Sequence, residues 1–298
     1  MMTTLLTVAP ERDTTGAVPT VPVGRCMAER LCRAGEGVRV LAPPSEQEGW
    51  PPGADVVVGD VTRPERTPEA FVGIDRMFLA GAVPETAHSL VSLARRGGVR
   101  RIAVLSSHGP EFEIQWEPES WYWLAIEVVV ERSGAEWTHI RPSPLMVQTL
   151  SRGFPRPGHS WVERIRDDEV IYDSHTAARV PFIDEDDLAA VAVAVLSGDG
   201  YAGRTMHVYG DPISSAEQLE SIGAALGRPV RFEELSPEQA RVRFRAEGMP
   251  EEDIDHTLSI GEEFLAEPMA PNPTVEQVLG RRPRSFAQWL ADNAGAFR

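Results

Sequence analysis

The chain has 298 residues, with 45 acidic side chains against 29 basic ones and a formal net charge of −16. That balance argues against nucleic-acid binding through phosphate contacts, and a hydrophobic content of 42% belongs to a globular chain rather than a disordered one. Every basic side chain is Arg or His; the absence of lysine excludes Schiff-base chemistry and any mechanism that needs a Tyr–Lys pair or a P-loop Lys.

Thr4–Val8 reads as a first strand, and Gly24–Arg33 as the helix after it. The apolar start is short and soon meets Glu11, Arg12 and Asp13, so no signal peptide is expected. Between strand and helix lies APERDTTGAVPTVPV, where a phosphate-binding turn would need glycines. Counting back from Gly24, the two earlier slots hold Val21 and Val18; counting forward from Gly16, they hold Pro19 and Pro22. Proline removes an N–H that could face phosphate, and Glu11 and Asp13 add negative charge.

Val38–Leu41, Val56–Val58, Met77–Leu79, Ile102–Leu105 and Trp137–Ile140 are short apolar runs of the kind that form buried parallel strands. Helices are expected near Glu65–Phe71, over Thr86–Arg96 and over Trp121–Ser133, with Gly97-Gly98 and Gly134 closing two of them. Residues 143–178 read as irregular pocket loops with a strand near Val170–Tyr172. Asp184–Ser197 is a helix with acids in its first turn, and its run Leu188–Leu196 is too short to span a bilayer. Met206–Tyr209 is another strand. In the last third, Ser215, Ser236 and Ser285 each stand three residues before a Gln, a capping pattern, and Val230–Glu233 is a short strand. The alternation implies an α/β class: a Rossmann-like doubly wound parallel sheet over residues 1–210 and a small, mainly helical cap over 211–298.

The segments GVRVL, DVVVGDVTRPE, GIDRMFL, GVRRIAVLSS, ERSGAEWTHIRP, ARVPFIDEDDLAAVAVAVL, AGRTMHVYG and LGRRPRSFAQWL resemble, in order and spacing, the NmrA-like branch of the atypical short-chain dehydrogenase/reductase superfamily. The resemblance implies that Asp60 lies near a cofactor's adenine. It also implies that Ser106 and Ser107 end the fifth strand beside the reactive ring, and that Arg141-Pro142 begins the loop shaping the substrate pocket. The departures are the missing glycines, Ala42-Pro43-Pro44 where NADPH-using relatives often carry Arg, Ile126 rather than Lys four residues after Tyr122, and Trp123 where a polar residue is usual.

In open α/β sheets ligands sit beyond the strands' carboxyl ends, which places Ser106, Ser107 and His108 at the mouth of a site. His108 is the candidate acid–base, with Tyr122 and Ser107 holding a substrate oxygen. Trp116, Trp121 and Trp123, with Phe154 and Trp161 from later loops, offer walls for a hydrophobic or aromatic ligand. Pro142, Met146, His159 and His175 fall in the pocket loops, as does Asp173. Glu127 reads as structural and His139 as an interior histidine. The Cys and His spacings suggest no metal site.

The expectation is therefore a cytoplasmic, cofactor-independent enzyme doing cyclisation, isomerisation or dehydration on a hydrophobic secondary metabolite. It would have no nucleic-acid or membrane partner, and a homodimer is the default assembly. If a nucleotide binds at all, Gly24 and Asp60 are the contacts expected. Two alternatives stand beside it: an oxidoreductase using NADP or NAD, and a non-catalytic sensor or regulator.

Overall fold

In the computed structural model, residues 2–10, 19–151, 160–267, 269 and 272–298 are described. In chain order the elements are β1 (Thr3–Thr7), α1 (Thr20–Arg33), β2 (Gly37–Ala42), β3 (Ala54–Val58), β4 (Arg76–Leu79), α2 (Pro84–Gly97), β5 (Arg101–Leu105), α3 (Pro110–Glu113), α4 (Trp123–Glu131) and β6 (Glu136–Pro142). Then come α5 (Trp161–Arg166), β7 (Ile171–Asp173), β8 (Arg179–Pro181), α6 (Glu185–Ser197), β9 (Arg204–Val208) and β10 (Pro212–Ser214). The chain closes with α7 (Ser215–Leu226), β11 (Phe232–Glu234), α8 (Pro237–Ala246), α9 (Glu251–Ala266), α10 (Thr274–Leu279) and α11 (Phe286–Asn293).

Seven parallel strands form one sheet in the order β3-β2-β1-β4-β5-β6-β9. The chain winds outward from β1 in one direction, then returns to β4 and winds the other way. The order reverses between β1 and β4, the point past the carboxyl ends where open α/β sheets bind their ligands. Side chains alternate across each strand. Leu6 joins Val23, Met27 and Leu31 of α1 and Leu188 of α6 on one face. Leu5 joins Leu90 of α2 and Ile126 and Val130 of α4 on the other. Burial on both faces explains why the strands read as nearly continuous apolar runs.

The sequence and the structure part in several places, each for a local reason. Residues 65–71 form two 3-10 turns, Pro64–Arg66 and Pro68–Phe71, instead of a helix. Pro68 lacks an N–H, and its ring would strike the carbonyl of Pro64 in a continuous helix. Helix α4 begins at Trp123, because the Glu113 carboxylate accepts the N–H groups of Trp123 (3.2 Å) and Leu124 (2.9 Å). Within the predicted loops of 143–178, Ser160 caps α5. Ser214, not Ser215, caps α7, in a reciprocal pair with Glu217; Ser236 and Ser285 cap α8 and α11 at the predicted spacing.

The C-terminal helices are tied to the sheet through the start of α6. Fully buried Asp187 accepts hydrogen bonds from Arg281 and from the Arg284 N–H at 2.6 Å, and the Trp289 indole N–H donates to Glu185 at 3.1 Å. Trp289, Phe286 and Phe297 then pack with Trp161, Ile171 and Leu219 in a separate core. No helix among the described residues is long and apolar enough to cross a membrane.

Candidate active site

The crevice between β1 and β4 is built from small residues at close approach. Gly81 takes φ +73, and a Cβ there would lie 2.5 Å from that of Ala9. The Thr7 hydroxyl bridges the two strands, donating to the Ala80 carbonyl and accepting its N–H, both at 2.8 Å. The Thr20 hydroxyl likewise donates to the Ala9 carbonyl and accepts the Ala9 N–H, both at 3.0 Å, which fixes where α1 starts. Four residues on, a Cβ at Gly24 would meet Val8 Cγ1 at 2.8 Å. Gly24 is therefore the glycine that lets helix and strand touch, the third role in a dinucleotide fingerprint.

This geometry corrects the reading of the phosphate turn. Helix α1 begins at Thr20, not at Gly24. Val21, Pro22 and Val23 are thereby first-turn helix residues rather than turn residues. A proline is tolerated in the first turn because its N–H would have no intrahelical partner there. Among the described residues no side chain caps this helix and no acid lies in its first turn, so the positive end of its dipole favours an anion there. Glu11, Asp13, Gly16 and Val18 lie outside the described residues. The described residues of the crevice fit a nicotinamide dinucleotide: Gly24 for the close approach, the start of α1 for the diphosphate, and Ala9, Gly81 and Ala82 for the space beside it.

Asp60 follows β3, but its carboxylate is engaged locally by the Thr62 N–H (2.9 Å) and hydroxyl (2.7 Å). At the end of β2, Arg25 pairs with Glu46 at 3.2 Å, and the Trp50 indole donates to the Glu46 carbonyl at 2.8 Å.

At the end of β5, Ser106 and Ser107 are buried and His108 is exposed. Protein packed about His108 pulls its pKa below the ordinary value, while the nearby charge of Glu111 pulls it up. The Tyr122 hydroxyl donates to the Ala82 carbonyl at 3.1 Å, which brings the phenol to the crevice. Ser106, Ser107 and His108 thus follow β5, and Tyr122 is bonded to the segment that follows the neighbouring strand β4. Pro142 is buried at the end of β6, in register with Val208.

The aromatic residues divide. Trp116 is exposed and Trp121 donates its indole N–H to the Trp116 carbonyl at 3.2 Å. Trp123 packs edge-on to Tyr122 and joins the α2–α4 core. Trp161 and Met146 are enclosed in the core under α7 and α11, so their apolar surface is already used by the fold. His175, at φ 54, lays its ring against Gly261 of α9, where a Cβ would stand 2.6 Å from Nδ1. Phe154 and His159 lie outside the described residues.

The sequence reading overlooked a polar cluster beyond β5, β6 and β9. Arg141 forms a buried fork with Glu127, Nε to Oε1 at 3.0 Å and Nη2 to Oε2 at 2.7 Å, and its remaining nitrogen binds Glu111 on α3. Burial alone would raise the Glu127 pKa. The hydrogen bond from Arg141, the charge of His139, the Ser106 hydroxyl and the Arg141 charge together hold it low. His207 Nε2 stands 3.5 Å from Glu111, and its Nδ1 is 3.1 Å from the Tyr209 hydroxyl. His139 is buried, stacked on Trp137 and bonded to Glu131 at 3.1 Å. Two signals for the cluster were present in the sequence: Glu111 follows His108 by one turn, and His207 and Tyr209 alternate on one strand face.

Residues 20–199 match the model of the NAD(P)H-binding family, and the chain belongs to that family. It is 34% identical over 292 residues (95% of this chain, 98% of the relative) to a (4-alkanoyl-5-oxo-2,5-dihydrofuran-3-yl)methyl phosphate reductase of Streptomyces griseus. It is 29% identical over 259 residues (82% and 84%) to an NAD(P)H azoreductase of Xenophilus azovorans. The fold is shared with the Citrobacter triphenylmethane reductase complexed with NADP(H), at a TM-score of 0.68 and 17% identity over 98% of this chain and 100% of that one. These findings place the chain in the NmrA-like, Rossmann-fold group. They overturn the expectation of a cofactor-independent, non-redox enzyme: the family binds a nicotinamide coenzyme and the similar proteins are reductases. The physical source of the error is the helix start described above.

Proposed function

We propose that the chain is an NAD(P)H-dependent reductase acting on a hydrophobic small molecule that carries a polarised double bond, such as an acyl-substituted unsaturated lactone, a quinone or an azo group. The observation that carries this reading is the close approach of α1 to β1 at Gly24, at the point where the strand order reverses. The reductases named above support it. We place the reaction in the cytoplasm, where the reduced coenzyme pool lies, and tailoring of a secondary metabolite fits as its setting.

A nicotinamide coenzyme held at Gly24 and the start of α1 would supply hydride chemistry; the protein must supply the proton. No Tyr–Lys pair is present, since the chain has no lysine. The Tyr122 hydroxyl donates to the Ala82 carbonyl just past β4, and Ser107 is buried at the end of the neighbouring strand β5. His108 is exposed at the mouth, and an imidazole can serve there as an acid or a base. In this reading Ser107 and Tyr122 hold the substrate's polar atom and His108 protonates it.

Isothermal titration with NADH and NADPH tests the coenzyme. Loss of absorbance at 340 nm with a 2-acylbutenolide, a naphthoquinone and an azo dye tests the substrate class. Micromolar binding and turnover of at least one probe are expected. Failure of both coenzymes to bind would overturn the reading, and full turnover by His108→Ala would remove His108 from its role.

A further inference from the structure

The parallel register of β6 and β9 sets Arg141 opposite His207. Both side chains therefore leave the same sheet face near the carboxyl ends, the side on which open α/β sheets hold their ligands. Arg141 is anchored from within. Its Nε and Nη2 form the fork with Glu127 of α4, and the two side chains are only 10% and 3% exposed. The third nitrogen, Nη1, reaches Oε1 of Glu111 on α3. His207 Nε2 stands 3.5 Å from the same oxygen, and the Tyr209 hydroxyl steadies the ring at 3.1 Å from Nδ1. One anionic oxygen is thus seated between a fixed guanidinium and an imidazole nitrogen.

Glu111 is poorly suited to be the permanent occupant of that seat. Its side chain is half exposed, where an ion pair holds weakly against water and salt. The stretch that carries it has a different anchor: Glu113, two residues on, is buried and accepts the N–H groups of Trp123 and Leu124 at 3.2 and 2.9 Å. Ile114 and Trp116 of the same stretch are exposed rather than packed. Arg141, in contrast, is held in place by Glu127 whether or not Glu111 is there. Exchanging the Glu111 carboxylate for another carboxylate leaves the charge count of the cluster unchanged. Guanidinium and imidazole N–H groups both donate to carboxylate and phosphate oxygens. A neutral His207 with its proton on Nε2 and a protonated one both offer that donor, so the fit does not turn on its charge state.

We propose that Arg141 and His207, braced by Tyr209, form an anion subsite for the substrate, and that Glu111 fills it until a carboxylate or phosphate group of the substrate takes its place. The assignment deepens the reductase reading and rests on it for the identity of the ligand: the reducible molecule carries, beside its hydrophobic body, one acidic group that this subsite grips. The subsite is open only in the molecules whose Glu111 has swung away, so Glu111 lowers the apparent affinity by that fraction. A neutral analogue has no charge with which to displace Glu111, and the subsite discriminates by charge.

The test has two arms, both on the full chain. The first needs no coenzyme. Histidine-detected NMR follows the His207 signals, identified by their loss in His207→Gln, during titration with inorganic phosphate and separately with acetate. A saturable shift is expected with at least one anion, and the tighter of the two tells phosphate from carboxylate. Glu111→Ala should tighten that binding by about tenfold. His207 signals that neither anion moves, or an affinity that Glu111→Ala leaves unchanged or weakens, would overturn the subsite; phosphate held only at the start of α1 belongs to this outcome, because it leaves His207 untouched. In the second arm, whichever quinone or azo probe is turned over is compared with its counterpart bearing the preferred anion. The anionic form should show kcat/KM about tenfold above the neutral one, mainly through KM, and His207→Gln should erase most of that preference. Equal kcat/KM for the two forms in wild type would overturn the use of the subsite by substrate. Failure of both coenzymes to bind, or of every probe to turn over, counts against the reductase reading instead, and the first arm then decides the subsite by itself.

Discussion

Replacing Glu127 by Gln should destabilise the protein by about 3 kcal/mol, because it strips one partner from a buried ion pair. The side chains of Glu127 and Arg141 are only 3% and 10% exposed. The fork between them is well formed, at 3.0 and 2.7 Å. Glutamine keeps one acceptor but turns an amide N–H toward the guanidinium and leaves its charge compensated only by half-exposed Glu111. For a chain of this size the loss corresponds to a fall in Tm of about 6 °C, read by circular dichroism at pH 7. The pH dependence gives a second check. The Glu127 pKa is lowered in the folded protein, so its contribution is fully present above about pH 4.3 and is lost as pH falls through the folded value. The gap between wild type and Glu127→Gln should be constant from neutral pH down to that region and then close. The double variant Glu127→Leu/Arg141→Met should recover to within about 1 kcal/mol of wild type, since an apolar pair needs no desolvation of charge. A single-variant loss below about 0.5 kcal/mol, or a gap that widens in acid, would refute the claim that this pair is a buried, charge-dependent lock.

Gly24→Val should push α1 away from β1, because even a Cβ would stand 2.8 Å from Val8 Cγ1; we expect coenzyme affinity to weaken by about tenfold or more, and an unchanged dissociation constant would count against Gly24 as the close-approach glycine. The end of β2 carries Pro43, Pro44 and the Arg25–Glu46 pair at 3.2 Å, so an added 2′-phosphate meets a carboxylate there. NADH should bind more tightly than NADPH, with Glu46→Gln narrowing the difference; tighter NADPH binding by wild type would reverse the assignment. Asp187→Asn should cost about 1–3 kcal/mol, since fully buried Asp187 receives Arg281 and the Arg284 N–H. Limited proteolysis should then release the segment carrying α11 earlier than in wild type, and identical digestion kinetics would show that the clasp is not anchoring it.

Much of the sheet was legible because burial on both faces writes itself as short apolar runs. Val38–Leu41 and Ile102–Leu105 fall inside β2 and β5. The helix ends at Ser236 and Ser285 were legible too, since a capping box is a contact between residues three apart. What stayed hidden depends on distant partners. The start of α4 is set by Glu113, ten residues upstream of Trp123. The acids at the start of α6 suit the helix dipole, but Glu185 and Asp187 also receive Trp289, Arg281 and Arg284 from 94 to 104 residues away. Trp161 looked like a pocket wall because its neighbours are Pro, Gly and His; its burial comes from α7 and α11, which no local pattern announces.

The site shows the same division at the point where it mattered most. Counting glycines back from Gly24 treats the turn as a string with fixed spacing. The physical requirement is different: room for a helix to touch a strand, and free N–H groups aimed at an anion. Gly24 supplies the first, and the helix start at Thr20 supplies the second, with Pro22 placed where its missing N–H leaves no broken helical bond. What fixes that start is a tertiary contact, the two-way hydrogen bond between the Thr20 hydroxyl and the backbone of Ala9. A threonine eleven residues from its partner carries no mark of that role in a linear reading. Thr20→Val, which keeps the shape and removes the hydroxyl, is therefore the substitution that separates the two accounts: if the anchor positions the diphosphate site, coenzyme affinity should drop while the seven-stranded sheet survives.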